Sequence, residues 1–600
     1  MVGKILSSRK TAFRSFEVGF FFVSWNVAVS NRIRSMAVQS IPQLTLRSLL
    51  DHSAETFAGR PAVGWVDEPP VTYREYREQV DTLSRFLQDR GIGTGDRVAI
   101  IAENSPHWGM AYFAVACMGA IVVPILPEFH VSEIHHILRH SGARIIFVSE
   151  RYYYKVEELD LESFASVILL DNLSIINPKT SKATLRQLIA DGSRELRRIR
   201  NVALRFVGLM ASAVSPDDTA AIIYTSGTTG HSKGVMLTHR NLATNAIAGA
   251  LVQPIDEHDR MLSVLPLAHV YECTLGLLLP ILQGASVSYL RKPPTAPVLL
   301  PALESVRPTL MLTVPLIIEK IYKARILPEI RKHAVVRMLY RIPLVRQRIH
   351  RMAGQKLMQT FGGQLKFFGV GGSALSAEVE RFLRDARFPY AIGYGLTETS
   401  PLAAGSNPQT TRYRAIGPVV DGVQIRIGEA DAATGIGEVQ IRGNGVMKGY
   451  YRDPERTAEV FTPDGWLKTG DLGRMDEDGN LYITGRLKNM ILGPSGENIY
   501  PEAVESVIDR SDIVLESLVY EEEGALVARI HLDYEKLDEE FAAEGLSEVK
   551  AEERITALLE DIRRKVNEQV SAFSRLARVI EQTEPFEKTP TQKIKRYLYT

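Results

Sequence analysis

AAIIYTSGTTGHSKGV, residues 220–235, decides how the rest of this chain is read. Residues 220–224 are a short apolar run, which reads as a buried strand. Thr225, Ser226, Gly227, Thr228, Thr229, Gly230, His231, Ser232, Lys233 and Gly234 follow. Such small residues leave the backbone free to curl and expose its N–H groups, while the hydroxyls add donors and Lys233 adds a positive charge. A helical stretch begins near Asn241. Strand, small-residue loop, lysine, helix is the order a polyphosphate cradle needs. This is not the P-loop of the common nucleoside triphosphatases, in which Gly-Lys is followed by Ser or Thr; here Gly234 follows Lys233. A flexible polar turn is the plain alternative. The long run of small, hydroxyl and basic residues after an apolar strand favours phosphate over it.

The chain has 600 residues, too many for one hydrophobic core, so two or more domains are expected. It is 45% hydrophobic and 24% charged, an ordinary globular composition, and its net charge of +1 gives no overall field for nucleic acid. Cys117 and Cys273 are the only cysteines. They exclude a disulfide framework and a cysteine-based zinc site and suit a reducing compartment, so a cytoplasmic location is expected. Residues 1–35 stand apart, with six basic side chains against the single acid Glu17. Residues 16–29 are fairly apolar but fall short of the roughly 20 residues that span a bilayer. A membrane-surface helix, a weak targeting segment and an untranslated or disordered extension compete. The last is favoured, with Met36 as the start, because globular-looking sequence begins just after it.

Residues 96–102, 120–124 and 144–149 read as strands, and residues 105–119 and 130–141 as the helices between them. Alternation at this spacing predicts a parallel, doubly wound sheet. His135, His136 and His140 share one predicted helix; their spacing matches no metal signature, so polar surface is the reading. Residues 177–213 look like a connecting insertion, with a basic face at Arg194, Arg197, Arg198 and Arg200. In MLSVLPLAHVYE, residues 261–272, His269 is either a buried structural histidine or the wall of a pocket beside the phosphate loop. Residues 281–289 and 308–315 read as further strands.

From Lys320 to Lys356 there are eleven basic residues against the one acid Glu329, with Leu339, Ile342, Leu344 and Ile349 interleaved. A charge run is ordinarily a solvated face. The interleaved apolar residues fit contact with an anionic lipid surface, an acidic carrier protein or a phosphate-rich ligand. In AIGYGLTETS, residues 391–400, Tyr394 offers a flat face for a base, and Thr397 and Glu398 offer oxygen ligands suited to Mg²⁺. From about Thr410 short strands and turns suggest a β-rich subdomain. From residue 491 a separate α+β module begins. It ends in PFEKTPTQKIKRYLY, residues 585–599, with Lys593 in a turn-rich setting.

At this point nine blocks match in order: YTSGTTGHSKGV, LPLAHVYE, VPLIIEKIY, GVGGSAL, YGLTETS, DGWLKTGDLG, GRLKNMI, GENIYPEAVE and KTPTQKIKR. The sequence resembles the adenylate-forming enzymes, a superfamily of AMP-binding proteins. Within it, LPLAHVYE, VPLIIEKIY and the basic stretch look most like long-chain fatty acid–CoA ligases. The resemblance runs from about Leu44 to the C-terminus. It implies an α/β fold: a large N-terminal domain of doubly wound sheets, residues 36–487, with a small β-subdomain over about 410–487. That domain would be hinged at Lys488 to a small, mobile α+β domain, residues 488–600. It implies activation of a fatty acid with ATP and Mg²⁺ to an acyl-adenylate, then transfer to coenzyme A. Loading of an acyl carrier protein is the alternative. A peripheral contact with an anionic membrane and a homodimer are compatible with this reading; a nucleic-acid partner is not expected.

The resemblance also implies roles. Thr225, Ser226, Gly227, Thr228, Thr229, Gly230 and Lys233 would hold the β- and γ-phosphates. Gly372, Ser373 and Tyr394 would border the adenine, and Gly395 belongs with the nucleotide-binding residues. Thr397 would contact the α-phosphate, and Glu398, with Thr225, would bind Mg²⁺. Asp471 would take the ribose hydroxyls, with Arg486 nearby. Lys593 would approach the α-phosphate and the carboxylate, and His269 would line the substrate pocket. After pyrophosphate leaves, the small domain would turn about Lys488 and bring residues 493–498 to the thiol tunnel in place of Lys593. This chain departs from the family in having Ser232 where proline usually precedes the loop lysine, and Gln592 where glycine usually precedes the C-terminal lysine.

Overall fold

Apolar strands with both faces covered set the architecture. The computed structural model describes residues 41–176, 214–225, 232–331, 334–492, 498–545, 547–589 and 593–600. One eight-stranded sheet has a parallel centre of Thr219–Thr225, Ile121–Pro124, Arg97–Ile101, Ile145–Val148 and Ser166–Leu169. These strands read as nearly continuous apolar runs because neither face meets water. Pro106–Cys117 is the clearest covering helix. Ser105 caps it by accepting from the Trp108 N–H, Pro106 sits in its first turn, and every residue from Trp108 to Cys117 is buried.

A second eight-stranded sheet has a parallel centre of Pro61–Trp65, Ser286–Tyr289, Arg260–Leu262, Leu310–Thr313, Phe367–Val370 and Tyr390–Gly395. Both sheets end in antiparallel strands, which the alternation rule did not anticipate. The expected strand over 281–289 shrinks to Ser286–Tyr289. The helix Leu279–Leu282 takes its first two positions, and the strand begins only at Ser286.

The helix expected near Asn241 is present, but a strand comes before it. Lys233–Thr238 is a strand running antiparallel to Thr219–Thr225, with Thr225 opposite Lys233 and Thr219 opposite Thr238. Helix His239–Val252 starts only after Thr238 caps it. The physical reason is packing. Val235 and Leu237 are fully buried, and a Cβ on Gly234 would lie 2.9 Å from the Ile222 side chain. The described residues on either side of the loop are therefore paired antiparallel strands.

A five-stranded antiparallel sheet follows, from Gly417–Pro418 to Asn480–Arg486. Its small core includes Val439, Ile441 and Leu481. The last part is α+β: Pro501–Ile508, Tyr534–Glu544 and Glu548–Asn567 pack on the strands Val514–Glu522, Ala525–Leu532 and Leu576–Glu581. This part has a core of its own, including Val504, Ile508, Ile530 and Leu532. The extension 1–35 and the insertion 177–213 lie outside the described residues.

Candidate nucleotide site

Three separate segments meet at the root of the hairpin. Lys233 opens the second hairpin strand, Glu398 lies on the 3₁₀ turn Thr397–Thr399, and Tyr450 lies on the edge strand Gly449–Tyr450. Lys233 Nζ donates to Glu398 Oε1 at 2.7 Å and to the Tyr450 hydroxyl at 2.7 Å; that hydroxyl donates to the same Glu398 oxygen at 2.9 Å. The ammonium also sits 4.4 Å from the centre of the Tyr450 ring, within cation–π range. Burial opposes the Glu398 charge. Lys233, the backbone and Tyr450 outweigh it and hold the carboxyl below its usual range.

The turn that carries Glu398 is braced from behind. Asn245 Nδ2 donates to the Thr399 and Leu402 carbonyls, and the Met447 N–H donates to the Glu398 carbonyl at 2.8 Å. Gly395 just before the turn admits no side chain, because a Cβ there would lie 1.7 Å from the Pro401 oxygen. At Gly372 the constraint is the backbone, whose φ of +92° lies in the region that favours glycine, and not space. Ser373 beside it is exposed, and Thr397 is half-buried on the Glu398 turn.

Thr225 is the residue opposite Lys233 in the hairpin. Its hydroxyl is buried with no partner. An orphaned hydroxyl beside an anchored carboxylate fits a hard cation such as Mg²⁺, which takes one or two protein oxygens and completes its shell with phosphate and water. Among the described residues no group of three or more His, Cys, Asp or Glu could hold a metal by itself. Such an ion would arrive with the phosphates. Ser226, Gly227, Thr228, Thr229 and Gly230 lie outside the described residues, as do residues 493–497 of the expected thiol tunnel.

A second cluster is set by strand register. Asp471 and Arg486 face each other across the antiparallel pair Leu467–Met475 and Asn480–Arg486. Arg486 Nε is 2.8 Å from Asp471 Oδ1, and the Tyr394 hydroxyl donates to Oδ2 at 2.8 Å. Asp471 is buried. Desolvation raises its pKa against the opposing pull of Arg486, Tyr394 and Lys593. Tyr394 and Asp471, distant in sequence, thus form one acceptor and aromatic wall.

Lys593 reaches both clusters. Desolvation and the Arg486 charge lower its pKa, while Asp471 and Glu398 raise it. Its charge also acts on His269, which desolvation pushes down to about 4. His269 is the N-cap of the turn Val270–Glu272, and its Nδ1 accepts from the Tyr271 N–H at 3.2 Å. The imidazole is therefore neutral at pH 7, with Nε2 left to carry the proton. His269 therefore caps the turn Val270–Glu272. Lys488, on the turn Leu487–Asn489, has its pKa lowered by desolvation and by Arg486, Lys233 and Lys593. A folded-back C-terminal segment fixes Lys593. The Thr589 N–H donates to the Lys593 carbonyl, Lys588 pairs with Glu516, and Arg596 pairs with Glu505 at 2.8 Å.

Sequence reasoning missed Tyr450. No chemical motif surrounds it, and it reaches Lys233 only through the edge pairing of Tyr450 with Val235. His135, His136 and His140 lie on the helix Val131–Ser141; His140 Nδ1 is 2.7 Å from the Tyr224 hydroxyl, and His135 Nε2 is 2.9 Å from the Lys155 carbonyl.

The site thus joins a lysine–carboxylate–tyrosine cluster at the base of a hairpin to a buried aspartate–tyrosine pair. The family model described as AMP-binding enzyme matches residues 50–451, and the chain belongs to that family. It is 26% identical to the peroxisomal long chain acyl-CoA synthetase 7 of Arabidopsis thaliana, over 95% of this chain and 87% of the relative. It is 29% identical to the long-chain-fatty-acid–CoA ligase FadD15 of Mycobacterium bovis, over 76% of this chain and 75% of the relative. The structure of ATP-bound MatB from Rhodopseudomonas palustris shares the fold, with a TM-score of 0.70 at 22% identity, over 93% of this chain and 98% of that one.

Proposed function

We propose that the chain is an acid–thiol ligase that activates a fatty acid with ATP and passes it to coenzyme A. In the first step a carboxylate oxygen attacks the α-phosphorus and pyrophosphate leaves, giving an acyl-adenylate. In the second the coenzyme A thiol gives up its proton, its sulfur attacks the acyl carbon, and AMP leaves. A fatty carboxylate is already ionised at neutral pH, so the first step needs no general base. It needs alignment and positive charge on the phosphates. The observation that carries the reading is the meeting of Lys233, Glu398 and Tyr450 beside the orphaned Thr225 hydroxyl. Lys233 would take the outer phosphates, Thr225 and Glu398 a Mg²⁺ ion that neutralises them, Asp471 the ribose hydroxyls, Tyr394 the base, and Lys593 the α-phosphate. The long-chain names of the relatives support the acyl class. We take Lys488 as the boundary between a large domain, 36–487, and a mobile one, 488–600.

Purified protein with palmitate, ATP and Mg²⁺ should release AMP in step with thioester when coenzyme A is supplied. AMP release that depended instead on an acyl carrier protein would overturn coenzyme A as the acceptor.

The basic stretch supports a peripheral contact with an anionic bilayer. On the helix Pro343–Thr360, His350, Gly354 and Leu357 face inward. Leu344 and Met352 stand 79% and 67% exposed on the other side, beside exposed Arg348, Arg351 and Lys356. Exposed Met338, Leu339, Arg341 and Ile342 extend the patch. Arg346 is not part of it; its guanidinium turns toward Asp385 at 3.7 Å. Among the described residues no helix is long and apolar enough to cross a membrane, so the contact would be superficial. Replacing Arg341, Arg348, Arg351 and Lys356 together by alanine should weaken binding to phosphatidylserine vesicles by about 1 kcal/mol per cation and remove its salt dependence. Vesicle cosedimentation equal to wild type would remove the contact.

A further inference from the structure

One lysine early in the basic stretch, Lys323, does something different from the rest. Lys323 lies on the π-helical turn Tyr322–Ile326, which continues the helix Pro315–Ile321 of the large body. Its Nζ donates to two backbone carbonyls of the C-terminal body, Asp509 at 3.3 Å and Val514 at 3.2 Å. Asp509 is the C-cap of the helix Pro501–Ile508. The last carbonyls of a helix have no donor within it, and a cation there also meets the negative end of the helix dipole. Val514 opens the strand Val514–Glu522. One ammonium therefore ties together the two elements on which the C-terminal body is built.

The same two elements hold the segment that carries Lys593. Glu505, on the helix, pairs with Arg596 at 2.8 Å, and the Val519 carbonyl, on the strand, accepts from Arg596 Nη2 at 2.6 Å. Arg596 is one helical turn beyond Lys593 in sequence. A continuous polar path thus runs from Lys323 through Asp509 and Val514, along the helix and strand to Glu505 and Val519, to Arg596 and so to Lys593. Within this path, among the described residues, Lys323 is the link that crosses from the large body.

We propose that Lys323 is a positioning residue for the first half-reaction. It latches the C-terminal body in the pose that sets Lys593 against Asp471 and Glu398, and it must let go before the thioester step. The proposal rests on the two-step reading above and adds to it a residue far from the reacting atoms.

The test separates the half-reactions. Lys323→Ala should slow palmitate-dependent ATP–pyrophosphate exchange about tenfold, the effect of losing a charge-assisted hydrogen-bond pair. It should leave thioester formation from supplied palmitoyl-adenylate and coenzyme A equal to wild type or faster. That second activity also reports that the variant is folded. Lys323→Arg, which keeps a cation able to reach two carbonyls, should restore exchange, and Lys320→Ala, at an exposed neighbour, should change neither rate. Energy transfer between dyes on cysteines introduced into the two bodies should show the latched distance depopulated in Lys323→Ala; the native Cys117 and Cys273 are buried. Exchange unchanged in Lys323→Ala, or both half-reactions falling together, overturns the latch. Wild-type protein that fails to exchange pyrophosphate overturns the two-step reading itself, so the two failures are distinguishable.

Discussion

Replacing Lys593 with alanine is expected to abolish ATP–pyrophosphate exchange while leaving thioester formation from supplied acyl-adenylate largely intact. The asymmetry follows from where the ammonium acts. In the described pose its charge falls on Asp471, Glu398 and His269, the groups that would surround the ribose, the metal and the carboxylate. Charge builds on the phosphate oxygens as the α-phosphorus is attacked, and a cation placed there contributes to the transition state alone. Cations in that role in other phosphoryl-transfer enzymes are worth about 10³-fold or more. In the second step the bond that breaks joins the acyl carbon to AMP, and the C-terminal body has turned away. Lys593→Ala should then lose the first rate by that factor and the second by little.

The pH profile gives an independent check. Desolvation and Arg486 depress the Lys593 pKa, and the side chain is useful only while protonated. The first half-reaction should decline as pH rises through that depressed value, below the roughly 10.4 of a free lysine. Lys593→Arg keeps its charge at all accessible pH, so its alkaline limb should disappear even if its rate is lower. An alkaline limb unchanged in Lys593→Arg would assign the limb to another group, and exchange surviving in Lys593→Ala would remove Lys593 from the chemistry.

What could be read from the sequence, and what could not, divides along contact range. Lys233 and Glu398 stand in short blocks whose local composition suggests phosphate and metal, whereas Asp471, Arg486 and Lys593 were picked out only by the family resemblance of their blocks. Their convergence did not need to be seen to be expected. The helix expected near Asn241 is present as His239–Val252, but the short strand Lys233–Thr238 before it went unread, because its six residues pair only with the preceding strand. Tyr450 was beyond reach. It meets Lys233 across 217 residues, and only an edge-strand pairing brings it there. Lys323 was noticed but misjudged. A lysine in a basic run ordinarily means solvent, and the carbonyls that receive it belong to a different body of the chain.

The second large effect is expected at Glu398, where two influences pull in opposite directions. In the described state Lys233 is spent on Glu398 and Tyr450, at 2.7 Å from each. Neither Lys233 nor Glu398 is then free for the phosphates and their metal. On the proposed roles, Mg²⁺ with ATP would resolve this by exchange: the phosphates would take the lysine, the metal would take the carboxylate, and the orphaned Thr225 hydroxyl would gain a partner. Glu398→Gln keeps the shape and the Tyr450 hydrogen bond but removes the charge. Lys233 is released, so ATP should bind without Mg²⁺ at least as tightly as to wild type. The metal loses its charged ligand, so Mg²⁺ should no longer strengthen nucleotide binding, and pyrophosphate exchange should fall about 10²–10³-fold, the usual cost of losing one preorganised electrostatic contact. Calorimetric titration of ATP with and without Mg²⁺ reads the first two effects without reference to turnover. If Glu398→Gln retained the wild-type dependence of ATP affinity on Mg²⁺, Glu398 would not be the metal ligand. The Lys233 pair would then be a structural tie that nucleotide binding leaves unbroken.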